Sequence, residues 1–302
     1  MRNAFAKEIT KLGVKNKKII LLSGDIGNRL FDEFKKKCKE QFYNCGVAEN
    51  NMVGVAAGLA KQGFIPYVYT ITPFLVARSY EQIKLDVCYQ NLNVKIIGTG
   101  AGLSYSRLGT THHSLDDISL MKNIPNMNVV CPGDPIEVTE LTRQISLIKK
   151  PFYLRLGKKG ELTINRKNKI KINKINKINT GKNIAIIAIG NMLGVGNELR
   201  IKLLNKKLDA SLYSMHTVMP LNIHELKKTL KKYKTIFFLE EHYYESGVIK
   251  EILYTLKDDL KNKKIIYEKI AKKFYTGLGE QDQARKYLKL TADNFYKKLQ
   301  ID

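Results

Sequence analysis

Cysteine is scarce in this chain, with four residues among 302. No two of them form a C-x-x-C pair and none has the spacing of zinc ligands, which excludes the common zinc-binding and dithiol redox motifs. We expect Cys38, Cys45, Cys88 and Cys131 to be reduced and mostly structural. The sequence leaves open whether Cys45, which lies just before a small-residue stretch, is reactive.

Long apolar runs are also absent. No stretch of eighteen or more apolar residues occurs, so no membrane-spanning helix is predicted. Residues 1–8 are amphipathic, include Glu8, and lack the apolar segment and small-residue cleavage site of a signal peptide. We therefore expect a cytoplasmic protein that has no membrane partner.

Acidic residues are few: 28 Asp and Glu stand against 52 Lys and Arg, giving a net charge of +24. Such a charge is typical of nucleic-acid binders. Here, however, the excess is mostly lysine scattered beside Asn and Ile, as in residues 169–174, and no basic helix is interleaved with aromatics. A general compositional bias explains this pattern at least as well, so we predict no nucleic-acid partner. A diffuse positive field could still speed the approach of phosphorylated substrates.

Apolar strand-like runs alternate with helix-like segments along most of the chain. Strands are predicted at residues 18–23, 64–71, 94–98, 128–131, 152–156, 183–188, 210–215, 235–239 and 264–267. Helices are predicted at residues 4–13, 76–90, from 134 onward, 193–206, 222–233, 245–258, 281–288 and 290–300. This alternation predicts an α/β fold of two doubly wound domains with mainly parallel sheets, at residues 1–163 and 180–302.

The two predicted domains are separated by a polar, Lys- and Asn-rich stretch at residues 157–182. Within it, residues 169–178 alternate Lys or Asn with Ile, which is compatible with an edge strand as well as with a free linker.

Residues 46–60 combine a single acid, Glu49, with a run of small apolar residues that includes Gly54 and Gly58. Glycine costs about 1 kcal/mol relative to alanine inside a helix, so we expect this helix to be buried and pressed close to another backbone. A carboxyl group at the mouth of such a helix could exchange a proton with a nitrogen of a ligand. The alternative is that Glu49 only complements the helix dipole in the first turn.

Three further motifs follow in order: Thr72-Pro73-Phe74-Leu75, then residues 78–83 (Arg-Ser-Tyr-Glu-Gln-Ile), then residues 109–113 (Gly-Thr-Thr-His-His). Together with the Glu49 stretch, this ordered set resembles the C-terminal half of transketolase. It is most similar to the stand-alone C-terminal subunits of split, two-chain transketolases. The resemblance covers nearly the whole chain and extends to deoxyxylulose-phosphate synthase and the pyruvate dehydrogenase β subunit.

The resemblance implies a thiamine diphosphate pyrimidine-binding domain at residues 1–163 and a smaller transketolase-like C-terminal domain at residues 180–302. In that family, the glutamate that matches Glu49 hydrogen-bonds the aminopyrimidine N1′ of thiamine diphosphate. Phe74 and Tyr80 are the candidates to pack on the pyrimidine ring, and the match favours Tyr80. Both could equally be ordinary core aromatics.

Substrate-handling roles are implied for three basic residues. His112 would bind a substrate hydroxyl or transfer a proton, although a loop histidine can also be simply solvated. Arg155 follows an apolar strand and needs an anionic partner, and the family match makes that partner a sugar phosphate. Arg2 also matches a phosphate-binding arginine, the alternative being a mobile terminal side chain.

Two departures from the family pattern affect these expectations. Leu108 stands where transketolases usually carry an aspartate that contacts the substrate, so the substrate is left open. The Gly-Asp-Gly motif with a distant Asn, which binds the metal and diphosphate in the family, is missing, and residues 24–27 do not supply it. We therefore predict no metal ligands in this chain. A partner N-terminal subunit would carry that motif, bind most of the Mg²⁺ and complete the cofactor site, in an α2β2 assembly.

The sequence thus predicts the C-terminal subunit of a thiamine diphosphate-dependent transketolase that moves a two-carbon ketol unit from a ketose phosphate to an aldose. Glu49 and His112 would be catalytic. Glu49, Phe74 and Tyr80 would bind the cofactor, and Arg2, His112 and Arg155 the substrate. The alternative is the β subunit of a 2-oxo acid dehydrogenase or a related acyl- or ketol-transferring synthase.

Overall fold

The structure, a computed structural model, describes residues 1–27, 29–158, 160–165 and 170–300. Twelve strands form two sheets in this part of the chain. They are β1 (Ile19–Ser23), β2 (Phe42–Asn44), β3 (Ile65–Ile71), β4 (Lys95–Thr99), β5 (Asn128–Val130), β6 (Phe152–Arg155), β7 (Asn176–Asn179), β8 (Ile184–Ala188), β9 (Ala210–Ser214), β10 (Thr217–Met219), β11 (Thr235–Leu239) and β12 (Lys264–Ile266).

Helices connect these strands. They are α1 (Arg2–Lys15), α2 (Asp32–Lys37), α3 (Glu49–Lys61), α4 (Thr72–Val76), α5 (Tyr80–Gln82), α6 (Asp117–Lys122), α7 (Pro135–Leu147), α8 (Leu193–Asn205), α9 (Ile223–Leu230), α10 (Val248–Thr255), α11 (Lys257–Leu260), α12 (Gln281–Tyr287) and α13 (Ala292–Leu299). None of the helices in the described residues is both long and apolar enough to cross a bilayer.

The first sheet has seven strands in the order β10-β5-β6-β4-β3-β1-β2, and all pairings are parallel except that of β10 with β5. The second has five strands in the order β12-β11-β8-β9-β7, with β7 as an antiparallel edge. β1, β4, β8 and β9 are buried along their whole length, as expected when helices cover both faces of a parallel sheet. The α/β fold of two doubly wound domains is therefore confirmed.

Two short strands are not predicted by the sequence pattern. β2 and β10 have three residues each, which is too short for a readable alternation of polar and apolar positions. β10 follows β9 in the chain but pairs with β5 of the first sheet. β7 forms an edge strand at the end of the alternating stretch 169–178, of which Lys169 lies outside the described residues. The first sheet thus takes one strand from beyond residue 180, and the second takes one from before it.

The helix predicted over residues 76–90 is wrong as a single element. The chain forms α4, then α5, and then a π-helical segment at Ile83–Cys88. The N–H of Tyr89 donates to the carbonyl of Lys84, five residues earlier, which is the wider π pattern. These breaks place residues 74–80 on a bent path instead of one continuous helical face.

The expectation about Gly54 and Gly58 is not met within this chain. A Cβ atom built on either glycine would meet no atom of the described residues within 4 Å. Helix α3 instead buries its opposite side, through Met52, Val53, Ala56 and Ala57.

The two sheets share a continuous apolar core. The cluster that contains Ile20 and Val68 of the first sheet also contains Ile187 and Phe238 of the second. Val129 and Val218, on the antiparallel pair β5 and β10, belong to it as well. The two domains are therefore packed into one body, in which each can fix the loops of the other.

Candidate active site

Three segments meet at the carboxyl edge of the first sheet. Helix α3 begins after β2, helix α4 directly follows β3, and the loop at residues 100–114 follows β4. Strands β4, β3, β1 and β2 are consecutive neighbours in the sheet, and all four are parallel. Ligands of open α/β sheets bind in the crevice outside the carboxyl ends of the strands, so this edge is the place where a site is expected.

Glu49 is the first residue of α3 and its side chain is 1% exposed. Its Oε2 accepts a hydrogen bond of 2.5 Å from Nη1 of Arg78, whose side chain is 44% exposed. Asn50 supports this arrangement, since its side-chain amide donates to the carbonyl of Arg78 at 3.1 Å and to Gln82 at 3.0 Å. The carboxylate is therefore buried and fixed in direction, while its partner reaches solvent.

Phe74 lies between Arg78 and His112. The guanidinium carbon of Arg78 is 4.8 Å from the centre of the Phe74 ring, a cation–π contact. The imidazole of His112 meets the same ring edge-on, with 5.0 Å between centres. Nδ1 of His112 is 2.9 Å from Oγ1 of Thr111. The structure thus joins Glu49 to Phe74 through Arg78, and His112 joins this group through its contact with the Phe74 ring.

Tyr80 is not part of this group of contacts. It is partly buried and packs against the apolar core that the two sheets share. The aromatic contacts of the described residues include none between Tyr80 and Phe74 or His112. Phe74 thus belongs to the contacts around Glu49 and Tyr80 does not, and the cofactor-binding role given to each ring stays a prediction.

Arg155 lies inside the protein rather than in the open crevice. Its Nε and Nη2 donate to both carboxylate oxygens of Asp117 at 2.8 and 3.2 Å, and Nη2 also donates to the carbonyl of Glu241. Burial would raise the pKa of Asp117, but the Arg155 guanidinium outweighs it and the pKa lies below its ordinary value. The anionic partner of Arg155 is thus a carboxylate of this chain. Binding of a sugar phosphate by Arg155 stays a prediction, and this geometry does not support it.

Arg2 begins α1 and is half-buried, so it is not a mobile terminal side chain. Its Nε is buried and has no hydrogen-bond partner in the described part of the chain. Burial raises the pKa of Tyr69 to about 12. The nearby charge of Arg2 lowers this pKa, and that of Tyr105 raises it. The Lys158 ammonium lies 4.5 Å from the centre of the Tyr105 ring. Arg2 therefore acts on Tyr69, and Lys158 lies over the ring of Tyr105.

Three of these residues, Arg78, Tyr105 and Lys158, have no role predicted from the sequence. The contact of Arg78 with Phe74 could have been predicted, because a cation four residues after an aromatic residue can reach its ring on a helical path. The contact of Lys158 with Tyr105 could not have been predicted, since Lys158 is one of many lysines in a polar stretch. Among the described residues, no group of three or more His, Cys, Asp or Glu side chains is arranged to hold a metal ion.

Comparisons with known proteins identify the family of this chain. A family model described as the transketolase pyrimidine binding domain matches residues 1–161, and one described as the transketolase C-terminal domain matches residues 173–294. The chain is 31% identical over 261 residues to an apulose-4-phosphate transketolase subunit of Phocaeicola vulgatus, covering 85% of this chain and 84% of that one. It is 29% identical over 303 residues to a putative transketolase C-terminal section of Methanocaldococcus jannaschii, covering 99% and 95%.

A solved structure described as a split gene transketolase, an inactive beta4 tetramer, superposes with a TM-score of 0.88. It is 27% identical and the match covers 99% of this chain and 96% of that one. This chain belongs to the transketolase family and carries its pyrimidine-binding and C-terminal domains. The resemblance drawn from the motifs is therefore confirmed.

Proposed function

We propose that this chain is the C-terminal subunit of a two-chain, thiamine diphosphate-dependent transketolase. It would transfer a two-carbon ketol unit from a ketose phosphate to an aldose acceptor. The observation that carries the proposal is the buried carboxylate of Glu49 at the carboxyl edge of the first sheet, where Arg78 links it to the Phe74 ring that His112 also contacts. When bound, thiamine diphosphate supplies a carbon nucleophile and an electron sink.

The residues present fit the pyrimidine end of that cofactor. A carboxylate shielded from water can hydrogen-bond a ring N–H and exchange its proton, and Glu49 is the buried carboxylate at this edge of the sheet. The Phe74 ring offers a flat apolar face and excludes water, which strengthens the nearby electrostatic interactions. His112 would bind or deprotonate a hydroxyl of the substrate. Arg2, together with Lys158, would attract the phosphate group.

The diphosphate end of the cofactor and Mg²⁺ would be held by a partner N-terminal subunit with the Gly-Asp-Gly motif. Two relatives support this division, because one is named as a subunit of a transketolase and the other was solved as an inactive tetramer of one chain type. Two copies of each chain would form an α2β2 assembly. Calorimetry of thiamine diphosphate binding tests this arrangement: the chain mixed with its partner should bind tightly, and tight binding by the isolated chain would contradict it.

Glu49→Gln tests the catalytic role. With the partner subunit present, we expect turnover to fall about 10²- to 10⁴-fold, because an amide cannot exchange the proton. Glu8→Gln is the matched control. Glu8 is also a buried glutamate paired with a half-exposed arginine, Arg143, at 3.0 Å, but it lies on α1 against α7. Normal turnover in Glu49→Gln, with thermal stability equal to that of Glu8→Gln, would reject the proposal.

The identity of the substrate needs a test of its own, because Leu108 stands in place of the family aspartate. Leu108 is 53% exposed in the loop at residues 100–114. A second candidate function, transfer from a 2-oxo acid, follows from that departure. Supplying the assembled enzyme with either a ketose phosphate or pyruvate separates the two. Release of CO₂ from pyruvate, without ketol transfer, would favour the synthase or dehydrogenase alternative.

A further inference from the structure

The loop that carries His112, residues 100–114, is held mainly by the second domain. We call it the histidine loop. The N–H of Leu103 donates to Oε1 of Glu241 at 2.7 Å, and Oγ of Ser106 donates to the carbonyl of Gly279 at 2.7 Å. Its base is closed within the first domain by two backbone bonds, from the N–H of Ser114 to the carbonyl of Gly102 and from the N–H of Ala101 to the carbonyl of Leu156. Beyond that base, the loop has turn bonds of its own, among them those from the N–H groups of His112 and His113 to the carbonyl of Gly109. The bonds of Leu103 and Ser106 tie these turns to the other domain.

Two further bonds to the second domain hold residues on either side of His112. Oγ1 of Thr110 donates to the carbonyl of Tyr275 at 2.8 Å, and Nε2 of His113 lies 3.2 Å from the same oxygen. One carbonyl oxygen has two lone pairs and can accept both bonds. The residues two before and one after His112 are thus fixed to a single atom of the second domain.

The segment that provides this carbonyl, residues 275–281, is itself anchored, and we call it the strap. The hydroxyl of Tyr275 donates to the carbonyl of Ala271 at 3.0 Å. At its other end the strap enters α12, which begins with a capping box between Glu280 and Gln283. Arg285 on α12 then pairs with Glu241 at 2.6 Å. The strap therefore has fixed ends on both sides of the contact.

The His112 ring has less support of its own. Its contacts are the Thr111 hydroxyl, the edge-on meeting with Phe74 and a more distant one with Tyr105. Because a catalytic side chain must be held within a fraction of an ångström of its productive position, the backbone on either side of His112 has to supply that precision.

We propose that the C-terminal domain acts as a positioning element for His112, with Thr110 and His113 as positioning residues that work through the Tyr275 carbonyl. The inference rests on the proposed function, in which His112 handles substrate. It assigns to the second domain a part in catalysis, although that domain contributes no side chain to the Glu49 crevice in the described part of the chain. It also explains why the histidine loop forms one side of an interdomain contact rather than lying free on the surface.

Thr110→Val tests the proposal, because valine keeps the shape of threonine and removes the donor. Thr139→Val is the matched control, since Thr139 is also half-buried and donates to a backbone carbonyl, that of Pro135, within α7. In the complex with the partner subunit, we expect Thr110→Val to lower kcat about 3- to 10-fold, with a smaller change in KM, and Thr139→Val to leave both unchanged. The same Thr110→Val change in a His112→Ala background should have no further effect on kcat.

An equal loss of kcat with and without His112 would overturn the positioning role, as would a Thr110→Val enzyme with normal kinetics. A second measurement does not depend on activity. Amide hydrogen exchange of the isolated chain, followed at residues 109–114, should become about 3- to 10-fold faster in Thr110→Val but not in Thr139→Val. Unchanged exchange would also overturn the inference. A wild-type assembly without transketolase activity would instead reject the proposed function alone.

Discussion

Two arginine–carboxylate pairs in this molecule are chemically alike but differently placed. Arg78 and Glu49 meet at 2.5 Å at the crevice, and Arg155 and Asp117 at 2.8 Å between the domains. Asp117 accepts two bonds from Arg155 and a third from the Tyr153 hydroxyl, and both members of that pair are buried. Arg78 makes one bond to Glu49 and keeps much of its surface in solvent.

The comparison shows how to separate a structural charge from a functional one. The Arg155 pair has its hydrogen bonds filled by groups of the same chain, so it has little capacity left for a ligand. Glu49 is equally buried, but its ion pair is with a half-exposed side chain that can move away or share the carboxylate. A buried carboxylate with a replaceable partner at a sheet edge is the arrangement that a ligand can use.

The largest expected difference between the pairs is in stability. Arg155→Met would leave Asp117 buried without its cation, and removing one partner of a buried ion pair costs about 3–5 kcal/mol. We expect the free energy of unfolding to fall by that amount in urea denaturation of the isolated chain. The same measurement on Arg78→Met should show a smaller loss, because Arg78 is half-exposed and makes one bond to Glu49 where Arg155 makes two to Asp117. Equal losses in the two variants would show that the two ion pairs contribute equally to stability.

Another buried cation sharpens the comparison, because Lys95 has no carboxylate partner among the described residues. Its ammonium donates instead to the carbonyls of Ile148 and Lys150, each at 2.7 Å. Burial lowers the pKa of Lys95 to about 7. Between that pH and the ordinary lysine pKa of about 10.4, the unfolded chain binds more protons than the folded one, so stability should rise with pH across this window.

The measurement is the free energy of unfolding from pH 7 to 10 for the wild type and for Lys95→Met. The wild type should gain at most about 1.4 kcal/mol per pH unit relative to the variant. Lys263→Met is the control, since its ammonium also donates to two carbonyls but is only partly buried in the second domain. Parallel pH profiles for wild type and Lys95→Met would show that Lys95 does not titrate in this range.

The sequence predicts the parts of this molecule that depend on local pattern. Continuous apolar runs located nine strands to within a residue or two, because a strand buried on both faces has no polar positions. The proximity of Glu49 and His112 could be anticipated only through the family resemblance. Arg155 shows the limit: its neutralising partner, Asp117, stands 38 residues earlier and becomes visible only when α6 packs against β6. The outward direction of Gly54 and Gly58 likewise depends on tertiary packing that a helical pattern does not specify.

The last effect we predict concerns Arg78 and turnover. Arg78→Met should lower turnover of the assembled enzyme about tenfold, because Glu49 loses the charge-assisted hydrogen bond that fixes its direction. The loss should be smaller than that of Glu49→Gln, which removes the proton-exchanging group itself. Steady-state kinetics at saturating thiamine diphosphate measure both.

Arg143→Met is the control, because Arg143 holds Glu8 as Arg78 holds Glu49, but away from the crevice. Its turnover should be unchanged. If Arg78→Met were instead faster than the wild type at low cofactor concentration, Arg78 would be a competitor that the pyrimidine must displace, and Glu49 would be positioned by the cofactor alone. If Arg143→Met slowed turnover equally, the effect would come from the general loss of positive charge, and the crevice pair would have no special part in it.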